Sequence, residues 1–596
     1  MTIREYTIGA RGLNLEPAEV CSRSKAATVR ELMLPWLNPD SKTRRESDSS
    51  EGSELGTLKV GLAVLILQSA PSLLAQASWP MFGQNPANTA YNSAETTISP
   101  SNVSSLKTKW KFTTGGDVSA RAAVVNGVVY FPDWGGNMWA LNASTGTVIW
   151  SHQISDYGLA AGTVSRTSPA VANGIVYIGT QYVAPATSSS PQPPTGWLLA
   201  INATTGALVW KMQPDTSNPF PVITSSPIVG GGVVYVGMTS NEENAAANPT
   251  YPCCSARGNV VAVNAATGAE LWQTFTVPSG YTGGAVWASN AVLDTARGLL
   301  YVGTGNNYSV PTDPAYTECI SDGGTRATCQ SPNNHGDSIL ALEMTTGAVA
   351  WGTRLENWDQ IQSEGVKNGS DDTNVGCSLA DIGIGDGGFG NCPLSPGPDY
   401  DFGSDPNEIT YNTPSGSVTI LGAGQKSGIY YALNPDTGDV LWQTQVGPGS
   451  YLGGIEWGSA SDGTRIYVAI ANVNGVPYAA GRAGSWSALN PVNGEILWQI
   501  ADPNHAGWDY GPMTVANGVV YAESMGGLNS TTAPTMFALN AATGATLWSY
   551  VAGASVNAGA SVVNGVVYWG SGYGLLSAPI GTGGNQTFYA FSINGQ

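Results

Sequence analysis

Few side chains in this sequence are suited to chemistry, and their spacing narrows what they can do. Cys253 and Cys254 are adjacent, and neighbouring cysteines can close a strained ring disulfide. His152, His335 and His505 share no metal-ligand spacing, which argues against a zinc site. No C-x-x-C-H occurs, so no covalent haem is expected. No G-x-S-x-G elbow, Walker A loop or dinucleotide fingerprint lies in a strand-to-helix context. What remains is a set of loop carboxylates, Glu242 and Glu243 in Ser240-Asn-Glu-Glu and Asp399 and Asp401 in Pro398-Asp-Tyr-Asp-Phe, together with a few cations such as Arg166 and Lys426. Only fourteen Lys and Arg follow residue 77, so each is conspicuous. Carboxylates of this kind serve as general bases or as ligands for hard cations.

The elements that must position these groups come from an internal repeat. The pattern A-L-N-x-x-T-G-x-x-x-W recurs, for example at Ala140-Leu-Asn-Ala-Ser-Thr-Gly146 with Trp150, and at Ala538-Leu-Asn-Ala-Ala-Thr-Gly544 with Trp548. Upstream of most copies stands a second signal such as Asn126-Gly-Val-Val-Tyr or Asn564-Gly-Val-Val-Tyr, a strong hairpin mark. Each unit therefore holds several antiparallel strands and cannot bury both faces of its sheet alone. The last unit stops at Phe588-Tyr-Ala-Phe-Ser-Ile without its Trp strand, while Leu106-Lys-Thr-Lys-Trp110-Lys-Phe supplies one with no unit of its own. The predicted fold is all-β: an eight-bladed β-propeller of four-stranded antiparallel sheets, closed by the N-terminal strand joining the C-terminal blade. The longest spacings between successive repeat tryptophans end at Trp351 and Trp442, and they hold four of the last six cysteines. Such insertions usually shape a binding face.

Composition bounds the rest. The chain has 596 residues and a net charge of -19, which makes nucleic acid an improbable partner. Residues 1–77 carry nine basic and nine acidic residues and end in the apolar run Val60-Gly-Leu-Ala-Val-Leu-Ile-Leu followed by Ala75-Gln-Ala77. This reads as an N-terminal extension and signal peptide, too short in its apolar run for a stable membrane span, with residues 78–596 as the exported propeller. A periplasmic or secreted location follows. Cys21 lies in the extension, and the other six cysteines pair most simply as 253/254, 319/329 and 377/392.

With Trp79-Pro-Met-Phe-Gly-Gln, Ser165-Arg-Thr-Ser-Pro, Tyr251-Pro-Cys-Cys-Ser-Ala-Arg, Ala285-Val-Trp287, Gly303-Thr-Gly-Asn-Asn, Gly424-Gln-Lys-Ser-Gly and Gly454-Ile-Glu-Trp-Gly in place, the sequence resembles the quinoprotein alcohol dehydrogenases, which bind pyrroloquinoline quinone (PQQ). It is most similar to their polyvinyl-alcohol dehydrogenase branch. The resemblance covers residues 79–593 and implies PQQ, a Ca²⁺ ion and oxidation of a secondary alcohol or polyol, with polyvinyl alcohol the substrate it names. By this likeness Trp287 is the aromatic floor beneath PQQ. Glu242, Asn306 and Asp401 are the calcium ligands, with Glu243 the rival to Glu242. Asp401 is the general base, with Asp399 its rival. Lys426 contacts the quinone oxygens, and Arg166, Thr224 and Trp457 complete the cofactor pocket, with Ser225 the alternative to Thr224. Cys253 and Cys254 are expected to lie near the cofactor as a vicinal disulfide, pairing with distant cysteines being the alternative. Without haem, electrons must leave to an external acceptor such as a cytochrome c. The competing reading is a non-enzymatic propeller of the same repeat, a protein-binding scaffold in the cell envelope.

Overall fold

The computed structural model describes residues 78–182, 195–246, 251–288, 290–355, 399–450, 452–505, 508–526, 530–574 and 585–596. The expected signal segment 1–77, Cys21, the 377/392 cysteine pair and the side chain of Glu243 lie outside the described residues. Leu73–Gln596 forms one compact unit.

The repeats fold into eight antiparallel sheets, each a blade. In blade 1, Ala123–Val125, Val128–Pro132, Asn137–Asn142 and Val148–Gln153 pair in chain order. Asn126 and Gly127 both take positive φ (52° and 77°), the conformation a two-residue hairpin of matching twist requires. The remaining blades repeat this order, ending with blade 7 on Thr546–Tyr550. Blade 8 takes three strands from the C-terminal end and its outermost from the N-terminal side: Leu106–Thr113 pairs antiparallel with Thr587–Ile593. The ring thus closes where the incomplete last repeat predicts, and no blade is left with an open edge at the junction.

Adjacent blades are joined by the repeat tryptophan. The indole N–H of Trp150 donates to the carbonyl of Ala203 in the next blade at 2.9 Å, and the other seven repeat tryptophans make the equivalent bond, ending with Trp548 to Leu106 at 3.1 Å. The glycine of the next repeat lies flat on that ring. A Cβ at Gly494 would stand 2.5 Å from the Trp442 ring, so this glycine is required both by its φ of 73° and by the blade contact.

Residues 79–92 do not belong to any blade's four-strand set. They run round the axis on the innermost strands. Trp79 exchanges both backbone bonds with Val124 (blade 1), and the Pro80 carbonyl accepts from Val171 (blade 2). Met81 packs with Ile228 and Val229 (blade 3). The carbonyls of Pro86, Ala87, Thr89 and Ala90 accept from Leu293, Glu408, Ser461 and Val515 of blades 4 to 7 in turn. The Asn92 side chain then reaches the Val562 carbonyl of blade 8 at 2.7 Å. Inside this girdle the fully buried Arg121 donates to the carbonyl of Phe82 (2.8 Å) and to Met513 and Thr514 (2.9 and 3.0 Å), with its guanidinium over the Phe82 ring. Among the described residues no helix is long and apolar enough to cross a membrane.

Candidate active site

The inner strand of each blade begins at one mouth of the axial channel, so the residues just before it face a shared hollow. Arg166, Thr224, Trp287, Asp401 and Trp457 all occupy this position, and Lys426 joins them from the turn between the second and third strands of blade 5. The repeat thus brings residues nearly three hundred positions apart to one mouth.

Asp401 is at the centre of the group. Its Oδ2 accepts the Trp287 indole N–H at 2.7 Å and the Lys426 ammonium at 3.3 Å, and its Oδ1 accepts the Asn306 backbone N–H at 2.8 Å. Lys426 also donates to Asp399 at 2.9 Å and sits 5.1 Å from the Trp287 ring centroid. Both aspartates and the lysine are buried. The two rival aspartates therefore share one cation, but only Asp401 bonds the indole and the Asn306 amide. Burial pulls the Lys426 ammonium down, yet Asp399, Asp401 and Glu456 around it outweigh that and raise it well above the ordinary lysine range.

Trp457 stands edge-on to Trp287, with ring centroids 5.3 Å apart at 80°, and the Arg166 guanidinium lies over the Trp457 ring, 4.0 Å from its centroid. Trp457 holds a φ of 56°, costly for a bulky residue, and is pinned there by its amide bond to Gly403 at 2.8 Å. Thr224 donates its hydroxyl to the Trp287 carbonyl at 2.8 Å and lines the same cavity as Arg166 and Trp457. Ser225 instead bonds Gly237 within its own blade, so Thr224 is the hydroxyl that reaches the hollow.

Glu242 opens the short helix Glu242–Ala246, ahead of the loop that carries the cysteines. Its carboxylate accepts five hydrogen bonds, from the Tyr251 hydroxyl (2.7 Å), the Ser255 amide to both oxygens, the Ser255 hydroxyl and the Ala256 amide (2.7 Å). Ligation of a metal would therefore exchange at least one donor, the Tyr251 hydroxyl being the most easily swung aside. Cys253 and Cys254 form the vicinal disulfide, which packs with Tyr251 and Trp287 against Ala246, Ala256, Ala285 and Tyr308. Cys319 and Cys329 form a second disulfide in the blade-4 insertion.

Sequence reasoning left Glu456 without a role, although its motif had been singled out. Glu456 is fully buried beside Trp457, and a Cβ at Gly403 would meet both it and Trp287. Burial pushes its carboxyl up to about 7, against the pull of Lys426 and Arg166. Its signal was a carboxylate inside an otherwise apolar Gly-flanked turn.

The donor set fits a planar tricarboxylate quinone with a hard cation. Two indoles and two cations offer flat and charged contacts, and the Glu456 Oε1 and Asn557 Oδ1 are buried acceptors with no partner. Asp399, Asp401 and Glu456 supply the carboxylate oxygens that a hard divalent ion takes. Among the described residues no three of His, Cys, Asp or Glu are placed to hold one metal ion, so such an ion would rely on amide and carbonyl oxygens as well.

Comparison with known proteins gives the family. Residues 94–353 and 425–588 match the PQQ-repeat family model described as outer membrane protein assembly factor BamB. A polyvinylalcohol dehydrogenase of Sphingopyxis sp. (strain 113P3) is 30% identical over 539 residues, spanning 82% of this chain and 73% of that protein. A second polyvinylalcohol dehydrogenase, from Pseudomonas sp., is 30% identical over 84% of this chain and 74% of its own length. The crystal structure of a quinohemoprotein alcohol dehydrogenase from Comamonas testosteroni shares the fold, with a TM-score of 0.61 and 19% identity over 87% of this chain and 81% of that one. The chain belongs to the PQQ-repeat quinoprotein family. Within it, the chain is an enzyme of the alcohol dehydrogenase type, with the polyvinylalcohol dehydrogenases among its relatives.

Proposed function

We propose that this chain is an exported, PQQ- and Ca²⁺-dependent dehydrogenase of secondary alcohols and polyols, polyvinyl alcohol included, and that it passes electrons to a separate acceptor such as a cytochrome c. The observation that carries the reading is the Asp401 carboxylate, fixed by three donors from three separate segments.

Bound PQQ supplies the quinone that takes up hydride, and Ca²⁺ supplies a Lewis acid beside it. Trp287, with Trp457 edge-on to it, would offer a flat face to the cofactor. Arg166 and Thr224 are placed for the cofactor's carboxylates. Asn306, Asp401 and Glu242 would hold the ion. Asp401 takes the hydroxyl proton of the alcohol, and the bonds from Trp287 and Asn306 keep its oxygens aimed while it does so. Lys426 balances the charge of the two aspartates and keeps a cation at the reacting edge. Exclusion of water falls to the packed disulfide, Tyr251 and Tyr308.

Titration of the purified chain with PQQ in the presence of Ca²⁺, followed by the cofactor's absorbance, should saturate at one equivalent. The loaded protein should reduce an artificial dye when given a secondary alcohol. Absence of both binding and turnover would leave the scaffold reading in its place.

A further inference from the structure

A second concavity, about 610 Å³ in volume, is lined by residues of blades 5 and 6 together with Tyr400. One end is Tyr400, the residue between Asp399 and Asp401. One wall is the turn after Val440–Gln445, tied to the reactive cluster by the Ser450 amide, which donates to the Lys426 carbonyl at 3.1 Å. The other wall is the loop carrying Val476 and Tyr478, braced by the Tyr478 hydroxyl on the Ala483 carbonyl at 3.0 Å. Val476 is 43% exposed there, an apolar side chain turned to an open groove.

Among the described residues no charged side chain lines this groove, although the chain carries a net charge of -19. An ionic ligand would find no counter-charge in it. Its surface instead combines apolar contacts from Val446, Pro448 and Val476 with the Asn474 amide and the side-chain carbonyl oxygens of Gln445 and Gln499, whose NH2 groups are held by protein acceptors. Apolar and hydrogen-bonding groups side by side match a neutral aliphatic chain that carries hydroxyls along its length. Its volume is far larger than a small alcohol needs, being in the range of about 300–1,000 Å³ typical of sites for much larger ligands.

We propose that this groove holds the non-reacting length of an extended, neutral polyhydroxylated aliphatic chain while one of its carbinol groups reaches Asp401. The proposal rests on the dehydrogenase reading and adds a subsite that selects substrates by length. Binding energy gained along the groove brings the reacting carbinol to the base, so its loss raises KM more than it lowers kcat.

The test compares isopropanol with vinyl-alcohol oligomers in dye reduction by the full chain loaded with PQQ and Ca²⁺. It also measures oligomer binding to the unloaded chain by equilibrium dialysis. Val476→Asp places a charge in the groove, and Ala479→Trp fills it; both positions are exposed, so the fold tolerates the change. In either variant the ratio of kcat/KM for oligomer over isopropanol should fall about tenfold, carried by KM, with a matching loss in dialysis. Wild-type values of both quantities in both variants would overturn the proposal. So would tighter binding of a cello-oligosaccharide than of the vinyl-alcohol oligomer. If the wild type oxidises neither alcohol, the dehydrogenase reading fails, while dialysis still decides whether the groove binds the chain.

Discussion

Trp287 and Asp401, 114 residues apart in sequence, are joined by an indole N–H to carboxylate bond of 2.7 Å, so the flat surface and the base are fixed as one unit. Trp287→Phe keeps a flat ring and removes that donor. A hydrogen bond to a charged group contributes about 1.5–3 kcal/mol, so kcat should drop by about tenfold to a hundredfold. PQQ absorbance titration should still saturate. Full activity in this variant would show that the bond does not orient the base.

Lys426 neutralises two buried aspartates, and its removal should cost folding stability as well as activity. Lys426→Met leaves Asp399 and Asp401 without their cation, a loss of about 3–5 kcal/mol for a broken buried pair. Urea unfolding of the cofactor-free chain should show it. Adding Asp399→Asn to Lys426→Met should recover part of the loss, since one uncompensated charge is then gone.

Glu523 gives a pH dependence well away from the reacting groups. Burial raises its carboxyl from 4.5 to about 7, although it accepts bonds from the Trp569 indole and the Gly559 amide. A raised carboxyl keeps its proton in the folded chain where the unfolded chain has lost it. Stability from this group is therefore intact below pH 4.5 and is lost as pH rises through about 7, by about 3 kcal/mol in all. Glu523→Gln should flatten that part of the stability curve between those limits. An unchanged slope would assign the pH dependence elsewhere.

Two glycines separate backbone strain from packing. Gly127 has a φ of 77° with nothing near a prospective Cβ, so Gly127→Ala should cost about 1–2 kcal/mol from the left-handed backbone alone. Gly494→Ala meets the same penalty and also drives a methyl into Thr444 and Trp442, adding about 1–3 kcal/mol. Paired denaturation curves should rank Gly494→Ala clearly below Gly127→Ala.

The blades were legible because their marks are local: an Asn-Gly turn, a T-G turn and a Trp four residues on. The bond from each Trp to the next blade's carbonyl was not, because the partner is set by ring closure and any residue type can supply a carbonyl. Within the site, Asp401 and Lys426 stood out as a loop carboxylate and a scarce cation and Trp287 through the family resemblance, and the structure brings them together. Glu456 was hidden because its motif resembles an ordinary Gly-flanked turn, and only burial beside Lys426 gives it meaning. Glu242 was visible as a carboxylate, but the four donor groups around it come from a loop whose path its sequence does not specify. The role of Trp79-Pro-Met-Phe-Gly-Gln was likewise invisible, since its partners are backbone groups and side chains of distant blades that ring closure alone brings to it.

The girdle of residues 79–92 has a temporal consequence. It precedes every blade in sequence, yet its partners on blades 7 and 8 are the last strands to be synthesised. Its end, Ala90 to Asn92, must therefore wait unpaired until those sheets emerge, and only then are all eight wedges fastened. Assembly of this ring resembles a drawstring: threaded at the start, drawn tight at the end.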